Sequence, residues 1–191
     1  MKDIFRLGSI LLLICAVASL MLSLTNNITA PVIEQRNIQA NNESRQEVLQ
    51  DAEEFKEVAN IKGDLIEEVY QGVKGGKVIG YTIKTAPKGY GGTVEVMVGI
   101  SNDGKISGVK IGNNSETPGL GSKAADPLFK DQYNGKSVQT PFNVVKGNAS
   151  NENDIVAISG ATISSKAVTA GVNAAMEVYE QKLISINGTG E

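Results

Sequence analysis

A predicted strand gives way to a predicted helix at Ile158-Ser159-Gly160-Ala161-Thr162-Ile163-Ser164-Ser165, near the C-terminal end of this 191-residue chain. The hydrophobic run that leads into it, residues 154–158, indicates a short buried strand. After it, apolar residues recur at helical spacing and predict a helix from near Thr162 to about Ile186. Thr162 is therefore expected at a helix N-terminus, where unpaired backbone N–H groups and the helix dipole favour an anion.

The residues alone leave two interpretations of the Thr162 hydroxyl open. Thr and Ser are favoured as helix N-caps, and capping is the commoner use of such a hydroxyl. Gly160 and Ala161 have almost no side chain, so a bulky group can approach the backbone and the hydroxyl can be esterified. The stretch thus predicts either a cap or a point of attachment.

Composition excludes several classes of function. The chain has no His, which excludes His-based catalytic triads, His-ligated zinc and haem with an axial His. Its single Cys excludes an internal disulfide, a CxxC motif and an iron–sulfur ligand set. A net charge of -3 and a pI near 5.2 give no support to nucleic-acid binding. Redox chemistry would have to come from a bound organic cofactor, and we assign no catalytic residue and no metal ligand.

An apolar segment near the N-terminus predicts a membrane anchor over residues 1–30. Residues 7–25 carry no charge, and roughly 20 such residues span a bilayer core. A cleaved signal peptide is the alternative, but this run is longer than a usual h-region and no clean A-x-A site follows. Lys2 and Arg6 precede the run, so we expect the N-terminus in the cytoplasm and the rest of the chain on the outer face of the inner membrane.

Residues 31–62 are predicted to be an amphipathic helical stalk. Pro31 is expected to end the membrane helix, because proline lacks a backbone N–H donor. Beyond it, apolar residues recur at helical spacing in a segment rich in Glu, Gln, Asn and Arg. Such a segment either lifts the following domain from the membrane and docks on a partner, or is a simple packing helix.

The next residues predict an antiparallel β meander packed with helices, an α+β domain over residues 63–187. Hairpin turns are expected at Gly75-Gly76 and at Asn102-Asp103-Gly104. A short helix interrupted at Pro127 and a further strand over residues 142–146 follow. The four predicted strands cover residues 65–70, 78–85, 93–100 and 106–111.

Two glycine-rich loops flank the later strands. Lys88-Gly89-Tyr90-Gly91-Gly92 lies between the second and third strands, and Glu116-Thr117-Pro118-Gly119-Leu120-Gly121 follows the fourth. Taken singly, each is typical of a plain turn. Glycines also allow backbone N–H groups to approach a flat ligand closely.

Together the motifs G-Y-G-G, E-T-P-G-L-G and S-G-A-T resemble, in that order, those of the FMN-binding domain family. In that family the motif threonine bears FMN through a phosphoester bond, which a separate flavin transferase makes from FAD with a divalent metal. The resemblance implies that Thr162 carries the covalent FMN and that the E-T-P-G-L-G loop lies against the isoalloxazine ring. This chain departs from the family by having Val156 where Asp is frequent and Asn114 where His is common.

The resemblance also implies the other cofactor-binding residues. Lys123 is a candidate counter-charge for the phosphate, with a solvated surface lysine as the alternative. The remaining residues expected to bind FMN are Ser159, Gly160, Ala161, Ser164, Ser165, Tyr90, Gly91, Glu116, Thr117, Pro118, Gly119, Leu120 and Gly121.

With its N-terminal anchor, the chain resembles the G-subunit family of Rnf ion-translocating oxidoreductase complexes, which is related to the C subunits of sodium-pumping NADH:quinone reductases. The resemblance implies a membrane-bound electron-transfer subunit, not catalytic alone, that works with partner subunits coupling electron transfer between ferredoxin and NAD to ion movement. Two alternatives stay open: a membrane-tethered flavoprotein of another electron-transfer chain, and a cofactor-free membrane-anchored binding module.

Overall fold

The structure, a computed structural model, describes residues 2–59, 61 and 63–184. The predicted helix end near Ile186 and the predicted domain end at residue 187 lie outside the described residues. The chain divides into two compact units, Met1–Asn42 and Glu43–Glu191. The division into anchor, stalk and FMN-binding domain remains a prediction.

The N-terminal segment is one continuous helix, α1 (Lys2–Val48). It is long and apolar enough to cross a membrane, and its large apolar side chains from Ile4 to Ile38 are exposed. The predicted stop at Pro31 is wrong, because Pro31 lies inside α1. Proline fixes φ near the helical value, so a helix can continue through it with the loss of one backbone hydrogen bond.

The predicted helical stalk is too long at its C-terminal end. Helix α1 ends at Val48, and β1 (Glu54–Glu57) forms the edge strand of the sheet. Strand β1 pairs antiparallel with the next strand, with Phe55 opposite Gly72. Its four residues, Glu-Phe-Lys-Glu, carry too little pattern to indicate a strand, so pairing with a neighbour decides their conformation.

The sheet is an antiparallel meander of five strands in the order β1-β2-β3-β4-β5, which confirms the α+β prediction. Gly75 and Gly76 have φ values of +57° and +79°, as a tight hairpin turn requires. Gly104, with φ +72°, turns the chain between the last two strands. The four strands after β1 are β2 (Ile66–Lys74), β3 (Lys77–Thr85), β4 (Val94–Ser101) and β5 (Ile106–Asn114).

Short helices and a small parallel sheet follow the meander. A 3-10 turn, Gly121–Ala125, precedes α2 (Pro127–Lys130), so the interruption expected at Pro127 is where α2 begins. Strands β6 (Asn143–Val145) and β7 (Asp154–Val156) pair in parallel. Strand β7 leads into α3 (Thr162–Val178), which continues as a π-helical turn, Tyr179–Leu183.

Helix α3 packs on one face of the sheet. Val168 and Val172 are fully buried, and the rings of Tyr81 and Tyr179 meet edge to face at 6.0 Å. The end of α1 covers the other face: Val48 and Leu49 are buried there. The β meander and α3 together place the turn between β7 and α3 beside the loop that follows β5.

Candidate functional site

The S-G-A-T segment is a tight turn that ends at the start of α3. The backbone N–H of Ala161 donates to the carbonyl of Ile158 at 3.0 Å, which closes the turn. Gly160 has φ +76°, a conformation that a residue with a side chain rarely adopts. Glycine is therefore required here by the backbone itself.

The Ser165 hydroxyl holds this turn from beneath. It accepts the backbone N–H of Ile158 at 3.0 Å and donates to the carbonyl of Ala161 at 2.9 Å. Ser165 is fully buried, so its hydroxyl is engaged with the backbone on the inner side of the turn. Ser165 is among the residues expected to bind the cofactor, and in the structure its hydroxyl supports the turn that carries Thr162.

Thr162 is the first residue of α3, and it is not the cap. The N-cap is Ala161, and no side chain of the described residues caps the helix, so the capping interpretation of Thr162 is wrong. Alanine is a poor N-cap because it offers no acceptor to the first backbone N–H groups. The Thr162 hydroxyl makes no hydrogen bond within the described part of the chain. A hydroxyl with no hydrogen-bond partner among the described residues and an uncapped helix start thus lie together.

A single carboxylate links the three sequence motifs. Glu116 accepts the backbone N–H of Gly91 on Oε1 at 3.0 Å, and the Ser164 hydroxyl donates to Oε2. Glu116 is only 6% exposed; its hydrogen bond with Ser164 is buried, and its hydrogen bond with Gly91 is partly buried. The G-Y-G-G loop, the E-T-P-G-L-G loop and the start of α3 are joined at this residue.

Two glycines make room for the Glu116 carboxylate. A Cβ atom added at Gly89 would lie within 3.0 Å of Oε1, and one added at Gly121 would lie within 3.0 Å of Oε2. A third, at Gly91, would lie within 3.0 Å of the Ser115 carbonyl. These glycines permit close approach between segments, which is a more specific requirement than turning the chain.

A cleft of about 490 Å³ opens above this junction. Its volume falls in the usual range for small-molecule sites. Three exposed apolar side chains rim it: Tyr90 at 69%, Leu120 at 44% and Ile163 at 56%. Apolar walls that meet an uncapped helix start suit a planar ring with an anionic group. The cleft is lined by Tyr90, Glu116, Thr117, Leu120, Gly121, Gly160, Ala161, Thr162, Ile163 and Ser164.

The sequence did not point to Ile163. This residue follows Thr162 and lines the cleft from the first turn of α3. An isoleucine between a threonine and two serines, at a predicted helix start, was the available signal in the sequence.

Some predicted residues lie beside the cleft. Ser159 and Lys123 line a neighbouring cavity of about 450 Å³, together with Leu128. Gly119 has φ +77° and donates its backbone N–H to the Ser122 hydroxyl at 2.9 Å. Pro118, like Gly91, Gly119 and Ser165, is not among the lining residues. These residues shape the loops around the cleft.

Asp154 stabilises the chain just ahead of the S-G-A-T turn. Its Oδ2 accepts the backbone N–H groups of Ser150 and Asn151, each at 2.9 Å. These hydrogen bonds hold the pKa of Asp154 below its ordinary value. On the other side of the turn, burial raises the pKa of Tyr133, whose hydroxyl lies 2.8 Å from that of Thr169 on α3.

Comparison with known proteins gives a consistent result. The model of the FMN-binding domain family matches residues 89–177, a range that includes all three motifs. The chain is 47% identical to the G subunit of the Na(+)-translocating ferredoxin:NAD(+) oxidoreductase complex of Acetobacterium woodii, over 94% of this chain and 93% of the relative. It is 36% identical to the G subunit of the proton-translocating ferredoxin:NAD(+) oxidoreductase complex of Clostridium ljungdahlii, over 92% of this chain and 91% of the relative.

Two solved structures share the fold. The C subunit of the Na(+)-translocating NADH-quinone reductase from Parabacteroides distasonis superposes with a TM-score of 0.58 at 20% identity, over 76% of this chain and 94% of that one. Shewanella oneidensis NqrC superposes with a TM-score of 0.51 at 23% identity, over 68% of this chain and 71% of that one. At these identities the likeness shows the fold alone.

Proposed function

This chain belongs to the G-subunit family of ion-translocating oxidoreductase complexes, and on that premise we propose that it is the electron-transfer flavoprotein component of such a complex. FMN, held in the cleft at the start of α3, supplies the electron transfer, while the protein supplies binding, orientation and electrostatics. The subunit is not catalytic alone, because its relatives are single subunits of ion-translocating oxidoreductase complexes.

The observation that carries the proposal is the state of the Thr162 hydroxyl. It lines the cleft and makes no hydrogen bond within the described residues, whereas the hydroxyls of Ser164 and Ser165 both donate to protein acceptors. Ser159 is exposed but lines the neighbouring cavity. Among the hydroxyls of the S-G-A-T segment and the first turn of α3, Thr162 is thus the one that lines the cleft without a hydrogen-bond partner in the described residues.

We propose that FMN is attached to Thr162 through a phosphoester bond. The Thr162 oxygen would attack the flavin-side phosphorus of FAD, AMP would leave, and the hydroxyl proton would pass to a flavin transferase. The bound phosphate keeps one negative charge, which the uncapped N-terminus of α3 stabilises by about 0.3–1 kcal/mol. Two features support this assignment. No side chain of the described residues caps α3. The first backbone N–H groups of the helix have no partner within the helix, so they can bind the phosphate.

The apolar rim supports a position for the flavin ring. Leu120 and Tyr90 present apolar surface on the loops that Glu116 joins, and Ile163 presents it from α3. A ring held there gains contact with side chains that are otherwise exposed, which is favourable by about 25 cal/mol per Å² of buried apolar surface. Thr117 and Gly121 complete the same wall of the cleft.

Helix α1 supports a membrane-bound subunit. Its composition fits a membrane anchor in a membrane complex, and other subunits of that complex are its expected partners. We further propose that the N-terminus faces the cytoplasm, because Lys2 and Arg6 precede the apolar run, and that the FMN-binding domain lies on the outer face.

The decisive measurement is whether flavin stays attached to the protein after denaturation. The full chain, co-expressed with a flavin transferase, should show flavin fluorescence after denaturing gel electrophoresis, and a peptide map should place FMN on Thr162. The variant Thr162→Val is nearly isosteric and lacks the hydroxyl, so it should lose the fluorescence while its stability stays within about 0.5 kcal/mol. The matched control Ser159→Ala should keep the fluorescence.

The outcomes separate the alternatives. Fluorescence that persists in Thr162→Val, or FMN mapped to a serine, would refute the attachment at Thr162. Wild-type protein that stays colourless would refute the flavoprotein function and favour a cofactor-free binding module. A flavinylated protein that does not co-purify with the other subunits would indicate a different electron-transfer chain.

A further inference from the structure

We propose that the buried carboxylate of Glu116 lowers the reduction potential of the flavin and so makes the bound FMN a stronger electron donor. The inference rests on the proposed function, because it assumes that FMN occupies the cleft. The proposed effect comes from the negative charge of Glu116 and is separate from the hydrogen bonds by which this residue joins the loops.

Glu116 differs from the other buried charged side chains. Arg45 pairs with Glu68, and Lys84 pairs with two carboxylates. Asp154 lies in the field of Lys136. Within residues 2–59, 61 and 63–184, no Lys or Arg nitrogen lies within 4.0 Å of the Glu116 carboxylate. Its two partners, the Gly91 N–H and the Ser164 hydroxyl, are both neutral donors.

The hydrogen bonds of Glu116 do not by themselves require a charge. A glutamine in the same place would offer an oxygen to the Gly91 N–H and an amide N–H to the Ser164 hydroxyl, which can accept as well as donate. The three segments could therefore be joined by a neutral side chain. What the carboxylate adds is an unpaired negative charge in the wall of the cleft.

That charge acts directly on a flavin in the cleft. Reduction adds negative charge to the ring, and a fixed negative charge nearby makes this step less favourable. Glu116 is 6% exposed, so solvent and salt screen it less than they screen a surface carboxylate. The N-terminus of α3 has the opposite sign, but it is offset by the phosphate that it holds.

The test is a redox titration of the flavinylated full chain in detergent, followed by absorbance. Glu116→Gln removes the charge and keeps the shape, so the flavin potential should rise. The matched control Glu57→Gln removes an exposed carboxylate from β1, at the sheet edge opposite β5, and should leave the potential unchanged. Thermal unfolding of the flavin-free chains reports whether either variant has lost its fold.

Each result decides a different point. A Glu116→Gln protein that carries flavin at an unchanged or lower potential would overturn this inference while leaving the flavoprotein function intact. Wild-type protein without flavin would refute the function itself. If Glu116→Gln does not load flavin, the variant Ser164→Ala provides the test. It removes a hydrogen-bond donor from the Glu116 carboxylate, so the flavin potential should fall. An unchanged or higher potential would overturn the inference.

Discussion

Replacing Ser165 with alanine should loosen the turn that presents Thr162. The Ser165 hydroxyl accepts the N–H of Ile158 and donates to the carbonyl of Ala161, on opposite ends of the turn. The Ala161 carbonyl keeps a second partner in Ser165→Ala, because it also accepts the backbone N–H of residue 165 at 3.0 Å. The Ile158 N–H has no second partner among the described residues. The loss of folding stability in Ser165→Ala therefore comes mainly from this N–H group.

The expected loss of stability in Ser165→Ala is that of one N–H group left without an acceptor. A buried N–H left without an acceptor costs about 1–3 kcal/mol. Ile158 is half-buried, which places the expected loss near the middle of that range, at about 2 kcal/mol. For a unit of roughly 150 residues, 1 kcal/mol shifts the melting temperature by about 2–4 °C, so we expect a decrease of about 4–8 °C.

Unfolding of the full chain in detergent, followed by near-ultraviolet circular dichroism, measures this change. Ser159→Ala is the matched control, because Ser159 is exposed and makes no hydrogen bond within the described residues; its stability should stay within about 0.5 kcal/mol of wild type. Ser165→Ala should also slow flavin attachment, since the turn no longer holds Thr162 in one orientation. Equal stability of Ser165→Ala and Ser159→Ala would show that the turn does not depend on the buried hydroxyl.

Three further predictions test the cleft, the approach to the turn and the anchor. Leu120→Asp should shift the flavin absorbance or potential with the covalent bond intact. Unchanged values would show that the E-T-P-G-L-G loop is not part of the flavin site. Asp154 has a lowered pKa, so its stabilisation is present above about pH 4 and is lost as the pH falls through that lowered pKa; the stability advantage of wild type over Asp154→Asn, from urea unfolding, should shrink between pH 6 and pH 3. Protease added outside intact cells should release the FMN-binding domain, and protection would reverse the proposed orientation.

The sequence alone determined the parts of this protein that depend on local pattern. Alternating and β-branched residues indicated β2 to β5, and paired glycines marked the hairpin turn at Gly75. Helical spacing placed the start of α3 at Thr162. These features are encoded within a few residues, because strand alternation, positive φ and helical periodicity are local properties.

Only the tertiary structure decided the features that need a distant partner. Strand β1 exists because β2 offers its edge. The N-cap of α3 proved to be Ala161, which leaves the Thr162 hydroxyl without a partner in the described residues.

The cleft itself depends on a contact that no local pattern encodes. Glu116 and Ser164 are 48 residues apart in sequence, and Glu116 and Gly91 are 25 apart. The motifs named the residues, but a buried carboxylate between two neutral donors arises only when three segments pack together. Its hydrogen bonds and its unpaired charge are properties of that packing, because burial removes the water that would otherwise satisfy and screen the carboxylate.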